Sequence, residues 1–332
     1  MNLFVALVLF LIPLSSFGQS NPAFYEKLAY YHVPLHFQQV GFNPKSEVVT
    51  NFDFDGDWVG NNNWDNEMRF PTFAHVYYDV KETSTHYFIN FGYFHPRDNK
   101  NRVCAPYVCH ENDLEGSLLT IQKDGSLYGH VVAVSELAHT SITTHKSVAS
   151  PDPKLVGAGD HPRICLFSEK GGHGLRVWNP LEMKDFANSD EVQLYTMAQV
   201  SKVIPTLYGK KWLIFYGTGV SEYPNGATEG VFQFSLLTIF DSFWARRDQV
   251  GSGKVFLGTF DYKGARYSIK NVPSKLDGEK WTRGAVSAPW GWHSAFEKHR
   301  GDFFFDPAYY MSTRMTKVPN YSLTYLFNPY IQ

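Results

Sequence analysis

Cysteine is scarce in this chain, with three in 332 residues. One pair and one leftover thiol do not make a disulfide scaffold, so a hydrophobic core has to hold the fold. Charge of one sign is missing as well. Thirty Lys and Arg stand against 32 Asp and Glu, a net charge of −2 with His neutral. No stretch gathers a basic face, which argues against nucleic acid as a partner. The one long apolar run, residues 3–14, is too short to cross a bilayer. Familiar catalytic signatures are lacking too. There is no Gly-x-Ser-x-Gly and no His-Glu-x-x-His, and the Gly-Gly-His-Gly run at 171–174 is not followed by Gly-Lys-Ser/Thr. No internal repeat, low-complexity tract or flexible linker breaks the chain.

What is there begins with MNLFVALVLFLIPLSSFGQS. Its apolar run ends in small residues, and Ser16 and Gly18 fit a signal-peptidase site. The expectation is a signal peptide over 1–18 and one domain over 19–332 with an extended C-terminal elaboration. The chain would be exported as a soluble protein, secreted or periplasmic. No Cys follows the run, which argues against a lipid anchor. Roughly 310 residues then remain, large for one domain but within reach of a β-sandwich with long loops.

Aromatic residues make up 17% of the chain. They favour strands and cores, and at a surface they stack on sugars or rest among lipid headgroups. Strand-like runs lie at 74–80 and 85–94, joined as a hairpin by a polar turn at 81–84. Others lie at 113–122, 127–137, 161–168, 211–216 and 254–267. The best helix candidate is 232–249, with Leu236, Leu237, Phe240, Phe243 and Trp244 at helical spacing. Residues 21–50, with Pro22, Pro34 and Pro44, read as irregular, as do Trp290-Gly-Trp292 and Tyr309-Tyr310 near the end. Residues 150–160 read as a loop. Asp53, Asp55 and Asp57 alternate like the start of a Ca²⁺ loop. Trp58 and Trp64 occupy the places where an EF-hand needs Gly and Glu, so an ordered loop is expected over 51–66. Many strands, few helices and no βαβ rhythm give the fold class: all-β, a β-sandwich with long loops and one or two peripheral helices.

The chemistry concentrates between residues 93 and 122. Asp98, His110, Asp113 and Glu115 fall close together there. If 113–122 is a strand, Asp113, Glu115, Ser117, Leu119 and Ile121 share one face. Leu119 and Ile121 carry that face into the core, and the two acids stand at its open end. Like charges so placed need a cation, a proton or a basic side chain between them. With Asp98 nearby, Ca²⁺ or Mg²⁺ is the simplest answer, since hard ions favour carboxylate and water oxygens. Cys104 and Cys109 flank a short step before His110 and suit a small disulfide loop pinning the motif, while Cys165 reads as a buried thiol. His139, past the end of a strand, and His173, among glycines, are candidates for lining a ligand pocket. The plainer readings of these two are a solvated loop histidine and an ordinary glycine turn.

Three separated stretches resemble the necrosis- and ethylene-inducing-peptide-like proteins. Val76-Tyr-Tyr followed by Tyr93-Phe-His-Pro-Arg-Asp98 is similar to their strand ending in Tyr-Phe-Pro-Lys-Asp. His110-Glu-Asn-Asp-Leu-Glu115 is similar to their signature Gly-His-Arg-His-Asp-Trp-Glu. His161-Pro-Arg-Ile through Gly172-His-Gly-Leu-Arg176 is similar to their later His-Pro-Lys-Val and Thr-His-x-Leu-Arg segment. A related fungal family associated with vacuolar protein sorting carries comparable pieces. The likeness covers about 75–180. It implies a β-sandwich with a divalent cation at one pole, held by Asp98, His110, Asp113 and Glu115, partly through water. In plant-toxic members that pole docks on sphingolipid headgroups and damages the membrane, and those proteins are not established enzymes. Cys109, Glu111, Asn112 and Leu114 depart from the signature's Gly, Arg, second His and Trp. Loss of the His and Trp weakens the expectation of toxicity, and Glu111 is expected to make the site more negative.

The leading expectation is therefore a cation-dependent binding protein for a glycan or sugar-bearing headgroup, with peripheral membrane contact as a related option. A membrane-damaging cytolysin is one alternative. A metal-assisted hydrolase of glycosides or phosphodiesters is another, since residues i and i+2 of a strand lie about 6–7 Å apart, within the roughly 5–9.5 Å that separates glycosidase carboxyls.

Overall fold

The computed structural model describes residues 21–100, 104–105, 108–149, 160–217, 227–294, 300–315 and 321–331. The expected signal peptide and nearly all of the loop expected at 150–160 lie outside these residues. The first described element is a helix, α1 (Pro22–His32), where the prolines suggest irregular structure. They bound the helix instead of breaking it. Pro22 takes the first position, where its missing N–H costs nothing, and the Asn21 side chain accepts the Phe24 N–H at 3.1 Å. Pro34 lies just past the last turn, where it stops continuation.

Among the described residues fourteen strands follow: β1 (Leu35–Gln39), β2 (His75–Thr83), β3 (His86–Asn99), β4 (Cys109–Gln122), β5 (His130–Ala138), β6 (Ser141–His145), β7 (Cys165–Ser168), β8 (Leu175–Asn179), β9 (Lys184–Asp185), β10 (Trp212–Gly217), β11 (Gly230–Thr238), β12 (Phe256–Lys263), β13 (Ser268–Leu276) and β14 (Tyr325–Phe327). The fold is all-β with short peripheral helices, as expected. One mixed sheet runs β6-β5-β4-β3-β2-β11-β10-β1-β7-β8-β9, with β14 added to the end of β2. The pair β12-β13 stands apart as a hairpin. Parallel pairing joins β1 to β7, β10 to β11 and β11 to β2.

Alternation of side chains explains the curl of the sheet. Val76, Tyr78 and Val80 of β2, Ile89, Phe91 and Tyr93 of β3, and Leu119 and Ile121 of β4 face one way. They pack into one cluster with Leu166, Leu175, Val177, Leu213, Phe215 and Phe234 from the far half of the same sheet. The sheet thus folds over on its own apolar face, and β5 comes to lie against β8. The opposite face, with Tyr77, Phe88, Phe94, Leu114 and Leu118, is covered by Trp290, Trp292, Phe303, Phe304, Phe305 and Tyr310 of the last third. Burial of each such aromatic side chain contributes about 1.5–3 kcal/mol.

Several local expectations change. Residues 232–249 are not a helix. They begin as β11, and only Trp244–Arg246 forms a helical turn. Phe234 and Leu236 alternate into the core, and the backbone fills the slot between β10 and β2. A short apolar run satisfies both periods, and the open sheet edges decide. The supposed turn at 81–84 is mostly strand. Lys81 is fully buried, pairs with Asp79 and lies 3.8 Å above the Phe304 ring. Its charge is neutralised within the core, so it needs no turn to reach water. At 161–168 only Cys165–Ser168 is strand, and β5 begins at His130, not 127. Near the end, Pro307–Ser312 is a helix capped by Asp306, whose carboxylate accepts the Tyr309 N–H at 3.3 Å. The ordered loop at 51–66 is present. Its three aspartates bond within the loop, to Asn51, Trp58, Val59, Asn62 and Asn66, and it ends in the short helix Asn63–Asn66. Cys104 and Cys109 form a disulfide, and Cys165 is a buried free thiol.

Candidate functional site

The long antiparallel pair β3-β4 sets the site. Its register places Asp98 opposite His110, His95 opposite Asp113, Tyr93 opposite Glu115 and Gly92 opposite Gly116. The two glycines leave a slot that the Trp292 indole fills. A Cβ on Gly116 would stand 2.8 Å from that ring. The indole N–H donates to the Leu114 carbonyl at 3.1 Å, which fixes the ring. Asn112 takes a left-handed φ of 60°, a conformation that Asn tolerates better than most side chains. Its amide donates to the carbonyls of Gly60 (2.7 Å) and Asp277 (2.6 Å), stitching β4 to the first loop and to the last third.

As expected, Leu119 and Ile121 enter the core, and Asp113 and Glu115 lie on the same strand face at its open end. The two acids line a cavity of about 250 Å³ together with His110, His139, Ser287, Trp292 and His293. Asp113 accepts a hydrogen bond from His173 Nδ1–H at 2.9 Å. His173 Nε2 stands 3.2 Å from Glu47 Oε2 as an ion-pair contact. Glu47 in turn accepts from Gly41 N–H (2.9 Å), Gln38 Nε2–H (3.0 Å) and Gly171 N–H (3.0 Å). His95 stacks on the far side of His173, with ring centroids 3.7 Å apart.

Burial alone would keep the His173 imidazole neutral. The Asp113 hydrogen bond and the Glu47 and Asp113 charges overcome it and push the pKa up to about 10. His95 goes the other way, held well below the usual range by burial and by the neighbouring His173 charge. Burial opposes ionisation of Asp113 too, yet the His173 contact holds its carboxyl below the ordinary value. Glu115 has no imidazole at hydrogen-bond distance among the described residues, only His139 Nδ1 at 3.8 Å. Burial, then the Asp113 charge, raises it well above the carboxylate range. Its Oε1 accepts the His139 N–H at 2.9 Å, whereas Oε2 is buried with no partner among the described residues. Asp98 has one oxygen 3.3 Å from His110 Nε2 and the other, Oδ1, buried and unpartnered. Burial depresses His110, but Asp98 and the Asp113 charge more than compensate and hold it raised.

Asp98 Oδ1 and Glu115 Oε2 are each buried without a partner among the described residues, and carboxylate oxygens are the donors a hard cation favours. Asp98, Asp113 and Glu115 would supply oxygens; His110, expected as a nitrogen ligand, has both ring nitrogens engaged, Nδ1 by the Asn112 carbonyl and Nε2 by Asp98, and offers none in this arrangement. Among the described residues, however, no three His, Cys, Asp or Glu side chains already stand at metal-cage spacing. Water would have to complete the shell, as Mg²⁺ and many Ca²⁺ sites allow. An ion here would be held by carboxylate oxygens and water, not by a finished cage.

Of the residues picked out in the sequence, Asp113, Glu115, His110 and His139 line the cavity, and Asp98 stands behind His110. His173 does not reach the cavity and holds Asp113 from behind. Glu111 adds no charge there. Its carboxylate turns away and accepts the N–H groups of Trp64, Glu279 and Lys280, at 2.8, 2.6 and 3.1 Å. Glu47 carried no signal in the sequence. The far wall, Ser287, Trp292 and His293, comes from the unmatched last third, where the Trp290-Gly-Trp292 cluster was the one available hint.

No family model and no curated protein matches the chain. Among solved structures it is similar to the non-toxic HaNLP3 protein, at 12% identity and TM-score 0.30, covering 51% of this chain and 74% of that one. It is also similar to NLPPya in complex with mannosamine, at 16% identity and TM-score 0.29, covering 53% and 74%. A third is Necrosis and Ethylene inducing Protein 2 from the causal agent of cocoa's Witches Broom disease, at 13% identity and TM-score 0.28, covering 53% and 73%. These neighbours are of the necrosis-inducing type, and the vacuolar-sorting alternative finds no support among them. At such scores the likeness carries no weight for individual residues, and the site rests on its own geometry.

Proposed function

We propose that this protein binds a glycan or a sugar-bearing headgroup in the cavity beside Asp113 and Glu115, with Ca²⁺ or Mg²⁺ held between the acids. The observation that carries the reading is the Glu115 Oε2 oxygen, buried and unpartnered beside an ionised Asp113. A divalent ion, if bound, would supply the positive charge that lets Glu115 ionise and a Lewis-acid partner for hydroxyl groups. Asp113 is kept charged and oriented by His173. His110 is fixed by Asp98 and by donating Nδ1–H to the Asn112 carbonyl at 2.6 Å. Trp292 closes one wall with apolar surface, while Ser287 and His293 offer polar atoms to hydroxyl groups. A cavity of this size suits one sugar residue, not a long chain.

Solved structures of NLPPya contain glucosamine or mannosamine, and both serve as probes beside a neutral methyl glycoside. Calorimetry with Ca²⁺ present should detect binding that EDTA abolishes and that Glu115→Gln loses. Binding that survives both treatments would contradict the proposal.

A further inference from the structure

A second cleft, of about 540 Å³, opens on the other side of the 169–174 turn. Lys100, Lys170, Lys210 and Lys211 line it, and no acidic side chain does. These lysines come from three separate parts of the chain: the end of β3, the β7-β8 turn and the approach to β10. The protein as a whole is nearly neutral at −2, so their convergence does not follow from a basic composition. Lys100 has a partial partner in Glu169 at 3.4 Å, an oxygen already shared with His139 at 2.5 Å. Among the described residues Lys210 reaches the Met183 sulfur, at 3.7 Å, and no acid. Among the described residues no acid pairs with Lys170, Lys210 or Lys211. The acid beneath the cleft is Glu47, and Gly41, Gln38, Gly171 and His173 already occupy it.

The walls are set in advance. Lys211 adopts a left-handed φ of 58°, and its carbonyl accepts the Val40 N–H at 2.9 Å. Gly171, at φ 72°, packs so closely that a Cβ there would stand 2.6 Å from the Lys100 Cα. Its carbonyl accepts the Asn99 N–H at 2.8 Å. Like charges held around one preformed cleft repel until an anion enters, and lysine ammonium groups bind phosphate as point charges.

We infer that the lysine cleft binds a phosphoryl group, on a soluble ester or on a lipid headgroup. The inference stands on its own residues and does not depend on the sugar cavity. Phe42 lines the cleft and is 43% exposed, and Met68 and Trp281 beyond it are 56% and 46% exposed. This apolar rim would meet hydrocarbon only if the phosphoryl group sits in a membrane.

The test uses the full chain at low salt. Calorimetry with inorganic phosphate and with glycerol 3-phosphate is one arm. Co-sedimentation with phosphatidylcholine vesicles, with and without phosphatidic acid, is the other. Lys170→Glu/Lys211→Glu should weaken binding at least tenfold, and Lys170→Gln/Lys211→Gln, with unchanged melting, should weaken it less. Glu115→Gln should leave it intact, so failure here is distinct from failure of the sugar reading. Binding in the soluble arm supports a soluble ester, and binding only to phosphatidic acid vesicles supports a headgroup. No binding in either arm, or equal binding by the charge-reversed variant, overturns the inference.

Discussion

His173 Nδ1 lies 2.9 Å from Asp113 Oδ2, and both side chains are buried. On its other edge the same ring meets Glu47 at 3.2 Å. One imidazolium therefore neutralises two carboxylates from distant parts of the chain. Replacing it with Gln removes the cation that both acids share and leaves Glu47 without an ion-pair partner among the described residues. Breaking such a pair costs about 3–5 kcal/mol. His173→Gln should lower the guanidinium midpoint accordingly. Glu47→Gln should cost less after His173→Gln than before it, because the two residues share one network.

Two histidines away from the site predict acid sensitivity. His32 donates Nε2–H to the Tyr128 carbonyl at 2.9 Å, and burial takes its pKa down to about 4. Burial likewise lowers His86 to about 4. The folded values lie below the unfolded value near 6.5, so between pH 6.5 and 4 only the unfolded chain takes up these protons. Stability from each is full above 6.5 and falls by about 1.4 kcal/mol per pH unit as pH drops through that window. Glu115, with its raised pKa, acts in the opposite direction. The contribution is therefore read by difference: His32→Gln should show a shallower loss of stability between pH 6.5 and 4 than wild type.

The glycine pair beneath Trp292 is a packing requirement. Gly116→Ala puts a methyl group 2.8 Å from the indole, and overpacking of this kind costs about 1–3 kcal/mol. Near-ultraviolet circular dichroism should report a displaced tryptophan, and the sugar affinity proposed above should fall with it.

Much of the fold was legible where the signal was local. Alternation in β4 placed Leu119 and Ile121 inside and the acids at the open end, and the spacing of Cys104 and Cys109 matched their disulfide. Misreadings came where a distant partner decided. Residues 232–238 are strand because β10 and β2 leave an open slot between them. Lys81 is buried because Asp79 and Phe304 receive it. Glu47 and Trp292 reach the site only through tertiary packing, so neither could be assigned from its own neighbours in sequence.

Exchange of the proposed ion offers a further check. Excess Ca²⁺ should raise the melting temperature of wild type, by roughly RT ln(1 + [L]/Kd) in free energy, and should leave Glu115→Gln unmoved. Differential scanning calorimetry at matched ionic strength measures this.

The most direct measurement is elemental analysis of the purified full chain after dialysis against trace Ca²⁺ and Mg²⁺, wild type beside Asp113→Asn and Glu115→Gln. The account predicts one equivalent of divalent ion in wild type and a loss of most of it in both variants. A metal-free wild type, or equal metal in all three, would contradict it.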